Sequence, residues 1–490
     1  MAQQSSLSPL PADAAEGRAP RGFWSVTLTE FWERFSYYGL QGILTYYLLY
    51  SLADGGLELS PTTAISIVGA YGGAVYLSQV MGAWIADRLL AQRTTILVGG
   101  SIIMVGHISL ALVPGTTGLF IGLAAIAIGT GLLKTNVSAL VGTLYGGRSR
   151  VDRDAGFSYF YMGVNTGAVL GPLLTGFAQV TWGFHLAFGL AAIGMFFGLV
   201  QFLLRYRDLP EASRVVFNPI RPSAFAAVVA GAAVAIGVCA ALFGAGIIHS
   251  DNLNLVVGGV IIAVAVYGFG RILGTRSVTA SEKRRIRGYL PMWVAEAVYM
   301  GLLLQIFTTI PLLVTARVDL TVGNWEIPEA WFSFVGTIAL VVTLWFMGSI
   351  WKNSRVGRLT PTNKFSFGLA MIGFAYLLMV LTELTPGRTV SPWFIALCLA
   401  IAGASELFVS PIGMSLITSI APEKFRSQAV ALKILTLGVG STISAVLGTL
   451  YTSMSSIGFF CMVGAIGIVS ALLLRLVRRP IEAMLGMPEA

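Results

Sequence analysis

Glu30, Glu33, Arg34, Lys134, Glu296, Glu406 and Lys433 stand inside stretches that are otherwise apolar. A charge near the centre of a bilayer costs at least ~2.5–3.5 kcal/mol on insertion scales, so each needs a partner or a water-filled cavity. Glu30 and Arg34 are four residues apart, share a helix face and can pair. Glu33 points about 100° away on a helical wheel. It is left for another partner, with Lys134 a candidate. A carboxylate in a low-dielectric site holds its proton more tightly, and a nearby cation loosens it again. A group poised between those states takes up a proton on one side of a membrane and releases it on the other. The plainer alternative is a buried ion network that only fixes helix packing. Tyr37, Tyr38, Tyr46, Tyr47, Tyr71, Tyr159 and Tyr161 surround the cluster in sequence and fit either cavity lining or interface anchoring.

The elements that carry these charges are apolar and long. Of 490 residues, 56% are hydrophobic and only 11% charged, against about 25% in a soluble domain. Mean hydropathy is +0.80. This composition excludes a disordered chain, a coiled coil and a secreted disulfide scaffold. About 14 stretches reach the ~20 apolar residues that a membrane helix needs. The first reading is therefore a polytopic, all-α membrane protein. Cys239, Cys398 and Cys461 fall in apolar stretches and fit small packing residues. His107, His185 and His249 are far apart and show no metal-ligand spacing, and no cofactor is expected.

The basic residues sit at helix ends, which explains the net charge of +9 without nucleic acid. With the N-terminus inside, Arg88, Arg93, Arg148, Arg150, Arg153, the run Lys283–Arg287, Lys424 and Arg475 all lie inside. Only Arg317 and Arg388 fall outside, and Arg34, Lys134 and Lys433 remain within spans. The positive-inside bias then places both termini in the cytoplasm. Residues 1–22 are polar and lack the apolar core and cleavage site of a signal peptide, so a cytoplasmic tail is expected there. The expected organisation is a six-helix bundle over 23–206, a linker with two accessory spans over 207–286, a second six-helix bundle over 287–480, and a tail over 481–490. The accessory spans, 222–248 and 253–273, hold almost no charge and read as a hairpin on the lipid face.

Glu30-Phe-Trp-Glu33-Arg34-Phe-Ser-Tyr37-Tyr38-Gly39 resembles the first-helix ExxERFxYYG motif of the proton-dependent oligopeptide transporter family. Gly82-Ala-Trp-Ile-Ala-Asp87-Arg88 with Arg93 resembles the major-facilitator loop motif. Phe160-Tyr161-Met-Gly-Val-Asn165-Thr-Gly167 resembles the family's fifth-helix signature. Gly131-Leu-Leu-Lys134-Thr-Asn136 and Ser405-Glu406-Leu-Phe-Val-Ser-Pro411-Ile-Gly413 resemble its fourth-helix lysine and tenth-helix glutamate segments. The resemblance runs from about residue 23 to 480 and is patchier in the second half. It implies a major facilitator fold of two six-helix bundles, with the two extra helices of bacterial members between them. It also implies alternating access and proton-driven uptake of di- and tripeptides across the bacterial cytoplasmic membrane, by a carrier that functions as a monomer.

On the family pattern Arg34 and Lys134 face the substrate carboxylate and Glu406 its amino group. Tyr37, Tyr38, Tyr71 and Asn165 line the cavity, and Glu30 and Glu33 take part in proton coupling. Four positions depart from the pattern. Gln41 stands where a second basic residue is common, and Leu304 where an acid precedes Gln305. In the family these two are expected to pair as a gate, and losing both avoids a stranded buried charge. Gly336 replaces an Asn, and Lys433 a Trp. Lys433 lies too deep to snorkel easily and is expected in the cavity. Glu296, about two turns before Leu304, either replaces the missing acid or pairs with Lys433. Gln41, Lys433 and Glu296 therefore join the candidate site. The expected function is a proton-coupled peptide symporter. The alternative is a carrier of the same family retuned for a non-peptide or modified amino-acid substrate. No nucleophile–base pair suggests an enzyme.

Overall fold

The computed structural model describes residues 19–146, 148–216, 218–353, 359–384 and 390–486. Arg388, used in the charge argument, lies outside the described residues, as do most of the expected N-terminal tail and 487–490. The chain is nearly all helical. In the first half run α1 (Phe23–Leu49), α2 (Pro61–Arg88), α3 (Gln92–Leu112), α4 (Gly115–Leu144), α5 (Arg150–Trp182) and α6 (Phe184–Leu204). Then come α7 (Pro222–Gly244) and α8 (Leu253–Gly274). The second half holds α9 (Ala280–Leu303), α10 (Thr309–Arg317), α11 (Phe332–Asn353), α12 (Pro361–Met379), α13 (Pro392–Ser405), α14 (Ser410–Ile420), α15 (Arg426–Tyr451), α16 (Ser456–Leu476) and α17 (Arg478–Leu485). A two-stranded hairpin, β1 (Thr321–Val322) with β2 (Trp325–Glu326), adds a minimal sheet to an otherwise all-α chain.

Local chemistry sets the helix starts. Ser60 accepts from the Thr63 amide and Pro61 opens α2, a position where proline's missing N–H costs no helix hydrogen bond. Thr279 and Glu282 form a reciprocal capping box at α9. Two spans are interrupted. Leu304–Phe307 is a 3₁₀ turn between α9 and α10, and Glu406–Phe408 is another between α13 and α14. Each break falls on a residue already singled out. Broken helices of this kind are where carriers build binding sites.

Among the described residues, 12 helices or helix pairs are long and apolar enough to cross a membrane. The expected number was 14. The two long helices outside that set are α1, which carries Glu30, Glu33 and Arg34, and α5, whose first turn holds Arg150, Asp152 and Arg153. Charge and polarity rather than length exclude them. The protein is a multi-pass membrane protein.

Buried apolar residues form two large clusters, one within the first half and one within the second. α1 and α5 pack closely because Gly167 and Gly171 leave no room for a Cβ against the backbone of Phe31 and Phe35. The halves are tied together at the end away from the chain termini. There Thr45 Oγ1 donates to the Phe307 carbonyl at 2.5 Å, Tyr50 Oη donates to Glu329 Oε2 at 2.6 Å, Trp331 Nε1 donates to the Leu173 carbonyl at 3.1 Å, and Ser441 Oγ donates to the Gly69 carbonyl at 3.0 Å.

The accessory helices do not both lie on the lipid face as expected. α7 is exposed along its length, but α8 packs into the seam between α2 and α15. Ser66 Oγ donates to Asn254 Oδ1 at 3.0 Å, and Gly258 lies flush against Thr442. Ile261, Ala265 and Phe269 join the second-half core. The expected tail after 480 is also partly a helix, because Ile481 and Leu485 bury their side chains on α9 near Gly288.

Candidate functional site

The first-half charges come together as one buried network on α1 and α4. Arg34 Nε and Nη2 donate to Glu33 at 2.5 and 2.7 Å, a two-pronged pair. The same Nε stands 3.5 Å from Glu30 Oε1. Lys134 donates to Glu30. This reverses the expected assignment in part. Helical spacing made Lys134 a candidate partner for Glu33, but the Arg34 stem is long enough to fold its guanidinium back onto the adjacent carboxylate. Glu30 then takes Lys134. Thr130, one turn before Lys134, donates to Glu33 Oε1 at 3.3 Å. Only Glu30 Oε2 in this network is buried without a hydrogen-bond partner.

An aromatic wall flanks the network. The Arg34 guanidinium lies 4.9 Å from the Tyr37 ring centroid and 5.8 Å from that of Tyr38, close enough for cation–π attraction. Tyr37 packs against Tyr71 with centroids 6.3 Å apart. Tyr38 meets Tyr37 edge-on, with centroids 5.1 Å apart. Asn165 Nδ2 donates to the Tyr161 carbonyl of its own helix at 2.8 Å. Tyr161 is half exposed. Three tyrosines listed with the cluster in sequence belong elsewhere. Tyr159 meets Trp24, Tyr47 sits among Phe184 and Phe188, and Tyr46 donates to the Glu329 carbonyl. Sequence proximity to the motif was the misleading signal.

In the second half, Lys433 Nζ stands 3.0 Å from Glu296 Oε1. Of the two roles open to Glu296, the structure shows the ion pair. Both residues are buried. At that distance the two charges are in direct contact. Glu406 opens the 3₁₀ turn after α13, is only partly buried, and accepts from Ser410 Oγ at 3.1 Å. Tyr299 Oη and Ser405 Oγ, 2.8 Å apart, lock α9 to the residue before Glu406.

Gln41 and Leu304 line the same small cavity between the halves, with Tyr37, Tyr76, Thr308 and Ser444. The two departures thus face one cavity at the interface. Gln305 is held by the Ser444 carbonyl at 3.1 Å and by Thr308. Gly336 does not line the cavity. It packs against Gly403 where α11 crosses α13. Sequence reasoning missed Thr130, Tyr76 and the Tyr50–Glu329 contact. The i, i+4 spacing of Thr130 to Lys134 was available as a signal. An acid just after Pro328, at the mouth of a span, was another.

The chain is similar to known proteins along most of its length. The sequence profile of the POT family matches residues 93–468. A di-/tripeptide transporter of Lactococcus lactis subsp. cremoris is 34% identical over 487 residues, covering 95% of this chain and 97% of its own. A solved POT peptide transporter in complex with sulfate superposes with a TM-score of 0.90 at 36% identity, covering 95% of this chain and 96% of that one. A solved POT family transporter in complex with 5-aminolevulinic acid gives a TM-score of 0.89 at 30% identity, covering 94% and 97%. The chain belongs to the POT family, with its major facilitator fold, and is a transporter rather than an enzyme.

Proposed function

We propose that the protein is a proton-coupled symporter that imports di- and tripeptides by alternating access in a bacterial cytoplasmic membrane, with both termini cytoplasmic. The observation that carries the reading is a pair of cations in the first half, buried Arg34 and partly buried Lys134, beside the Tyr37 and Tyr38 rings. In the second half Glu406 stands partly buried at a helix break, where it accepts from Ser410. A peptide is a zwitterion, and this arrangement offers cations to its carboxylate and an anion to its amino group. Tyr37, Tyr38, Tyr71, Gln41, Asn165 and Lys433 complete the proposed binding surface.

Proton coupling follows from the first-half network. Glu30 and Glu33 each hold a cation that the substrate carboxylate also attracts. A proton on either carboxylate releases its cation toward the substrate, and substrate binding in turn favours that proton. Uptake and protonation are thereby linked. The bundles 23–206 and 287–480 would rock about the site, with the Tyr50–Glu329 end closed in the state described. The transport unit is proposed to be a monomer.

One observation favours a retuned substrate. Leu304 removes an acid from the cavity, while Lys433 and Glu296 add a buried ion pair. A carrier with this site would take a modified amino acid or another small amine, and a relative is known in complex with 5-aminolevulinic acid. Competition in reconstituted liposomes separates the two readings. Counterflow of labelled dialanine that is suppressed by unlabelled trialanine supports peptides. Indifference to both, with counterflow of 5-aminolevulinic acid, supports the retuned site.

A further inference from the structure

α8 is attached to the two halves at opposite ends. At its outer end, away from the chain termini, it is bonded to α2 of the first half. Thr63 Oγ1 donates to Asp251 Oδ1 at 2.5 Å, and buried Ser66 and Asn254 are joined at 3.0 Å. At its inner end it belongs to the second half. Ile272 and Val278 are part of the second-half core, and only residues 275–279 separate α8 from α9. Phe269 meets Trp293 of α9 edge-on with centroids 5.7 Å apart, and Lys424 Nζ donates to Ser277 Oγ at 3.3 Å. α8 therefore runs as a diagonal across the seam between α2 and α15.

The contacts between these ends are of another kind. Gly258 lies flush on Thr442 and Gly268 on Leu432 of α15, and the Thr442 hydroxyl donates within its own helix. Lipid chains are as apolar as a helix face, so exchanging such packing for lipid costs little. A buried polar group stripped of its partner in hydrocarbon costs far more. When the halves part at the outer face, α8 is held there to α2 and slips from α15. The short connection to α9 keeps the inner end with the second half. The chain before α7 is pinned to the first half, where the Asn218 and Ile220 amides donate to the Asp87 and Arg88 carbonyls at 3.1 Å. α7 itself is exposed along its length and leaves α8 free to tilt.

We propose that α8 is a moving seal of the α2–α15 seam. It swings with the first half at the outer face and stays with the second half at the inner face. It thereby keeps lipid chains out of the gap that opens between α2 and α15. Its outward side exposes Leu255, Ile262, Val266 and Tyr267 and is apolar enough to face those chains. This inference rests on the alternating-access reading, in which the halves rock. Asp251 and Asn254 are the positioning residues of the seal, and they act through α2 rather than on substrate.

Spin labels read the motion in the full-length protein in nanodiscs, with Cys239, Cys398 and Cys461 replaced by Ala. Label sites are exposed residues changed to Cys in pairs. Leu112 and Leu384 mark the outer ends of the first and second halves, Leu204 and Leu476 the inner ends, and Leu255 and Tyr267 the two ends of α8. Distances are compared in acid and alkaline buffer, with and without dialanine, and with Tyr50→Phe to loosen the outer end. Where the Leu112–Leu384 distance lengthens, Leu255 is expected to keep its distance to Leu112 and to move away from Leu384. Tyr267 is expected to keep its distance to Leu476 and to change its distance to Leu204. Asp251→Ala/Asn254→Leu releases the outer end. It is expected to uncouple Leu255 from Leu112 and to slow counterflow in liposomes several-fold, read with labelled dialanine or with 5-aminolevulinic acid, whichever the wild type exchanges. The distances in the chain that keeps Asp251 and Asn254 carry the test if this variant fails to fold. An α8 whose two ends follow the same half would overturn the proposal. So would a double variant in which Leu255 still follows Leu112, or one in which it does not and counterflow is unchanged. Leu112–Leu384 and Leu204–Leu476 distances that stay fixed under every condition would contradict the rocking of the halves, and the seal with it.

Discussion

Lys134 on α4 is ion-paired with Glu30 on α1, not with Glu33 three residues further along. This fixes which cation each acid controls. On the proposed coupling, protonation of Glu30 releases Lys134, and protonation of Glu33 loosens Arg34, which also lies 3.5 Å from Glu30. The two acids of the motif therefore act on different ends of one network, with Thr130 steadying Glu33.

Breaking that pair from one side strands a charge. Lys134→Met is expected to lower stability by about 3 kcal/mol, at the lower end for a buried pair because the lysine is partly open. Glu30→Gln/Lys134→Met should recover most of the loss while remaining inactive in gradient-driven uptake. Thermal unfolding in detergent, alongside liposome uptake, checks both halves of the statement.

The Tyr50–Glu329 hydrogen bond bridges the halves at their closed end. Tyr50→Phe removes it and is expected to weaken closure by about 1 kcal/mol. A Leu304→Cys reporter, lying in the cavity beneath, should then react several-fold faster with an impermeant maleimide applied from that side. An unchanged labelling rate would show that packing alone keeps this end shut.

Gly171 allows α5 to touch α1 at the Phe35 backbone. Gly171→Ala is expected to cost about 1–3 kcal/mol by overpacking and to lower the yield of folded protein. The same change at Gly237, which faces open space on α7, should be nearly neutral. A melting comparison of the two variants tests the claim that the first-half site depends on this close contact.

His107 is fully buried on α3, and neither ring nitrogen has a partner. It touches none of the charged residues described above. His107→Ala is expected to keep gradient-driven uptake and its pH profile, with some loss of stability from the cavity left behind. Loss of all proton-driven transport would return histidine to the coupling scheme.

The chemistry of the site was legible in the sequence to the extent that burial is costly. Glu296 and Lys433 had to find partners, and the structure pairs them. What stayed hidden was the choice among partners. A helical wheel places Cβ atoms, but Arg34 reaches Glu33 through a long side chain that the wheel ignores. α8 was equally opaque. Its apolar sequence fits lipid or a seam alike, and only Asn254 meeting Ser66 gives the seam away. α17 was lost because eight residues are too few for a clear period, although Ile481 and Leu485 do mark its buried face. Gly336 was judged as a missing side chain, yet its role is to let α11 approach Gly403.

The central claim is that Glu33 couples proton to peptide. The direct measurement is uptake of labelled dialanine into tight liposomes with and without an inward proton gradient, for wild type and Glu33→Gln. The account predicts gradient-stimulated uptake in the wild type, blocked by unlabelled trialanine, and no gradient stimulation in Glu33→Gln. Uptake in Glu33→Gln that still rises with the gradient as in the wild type would contradict it.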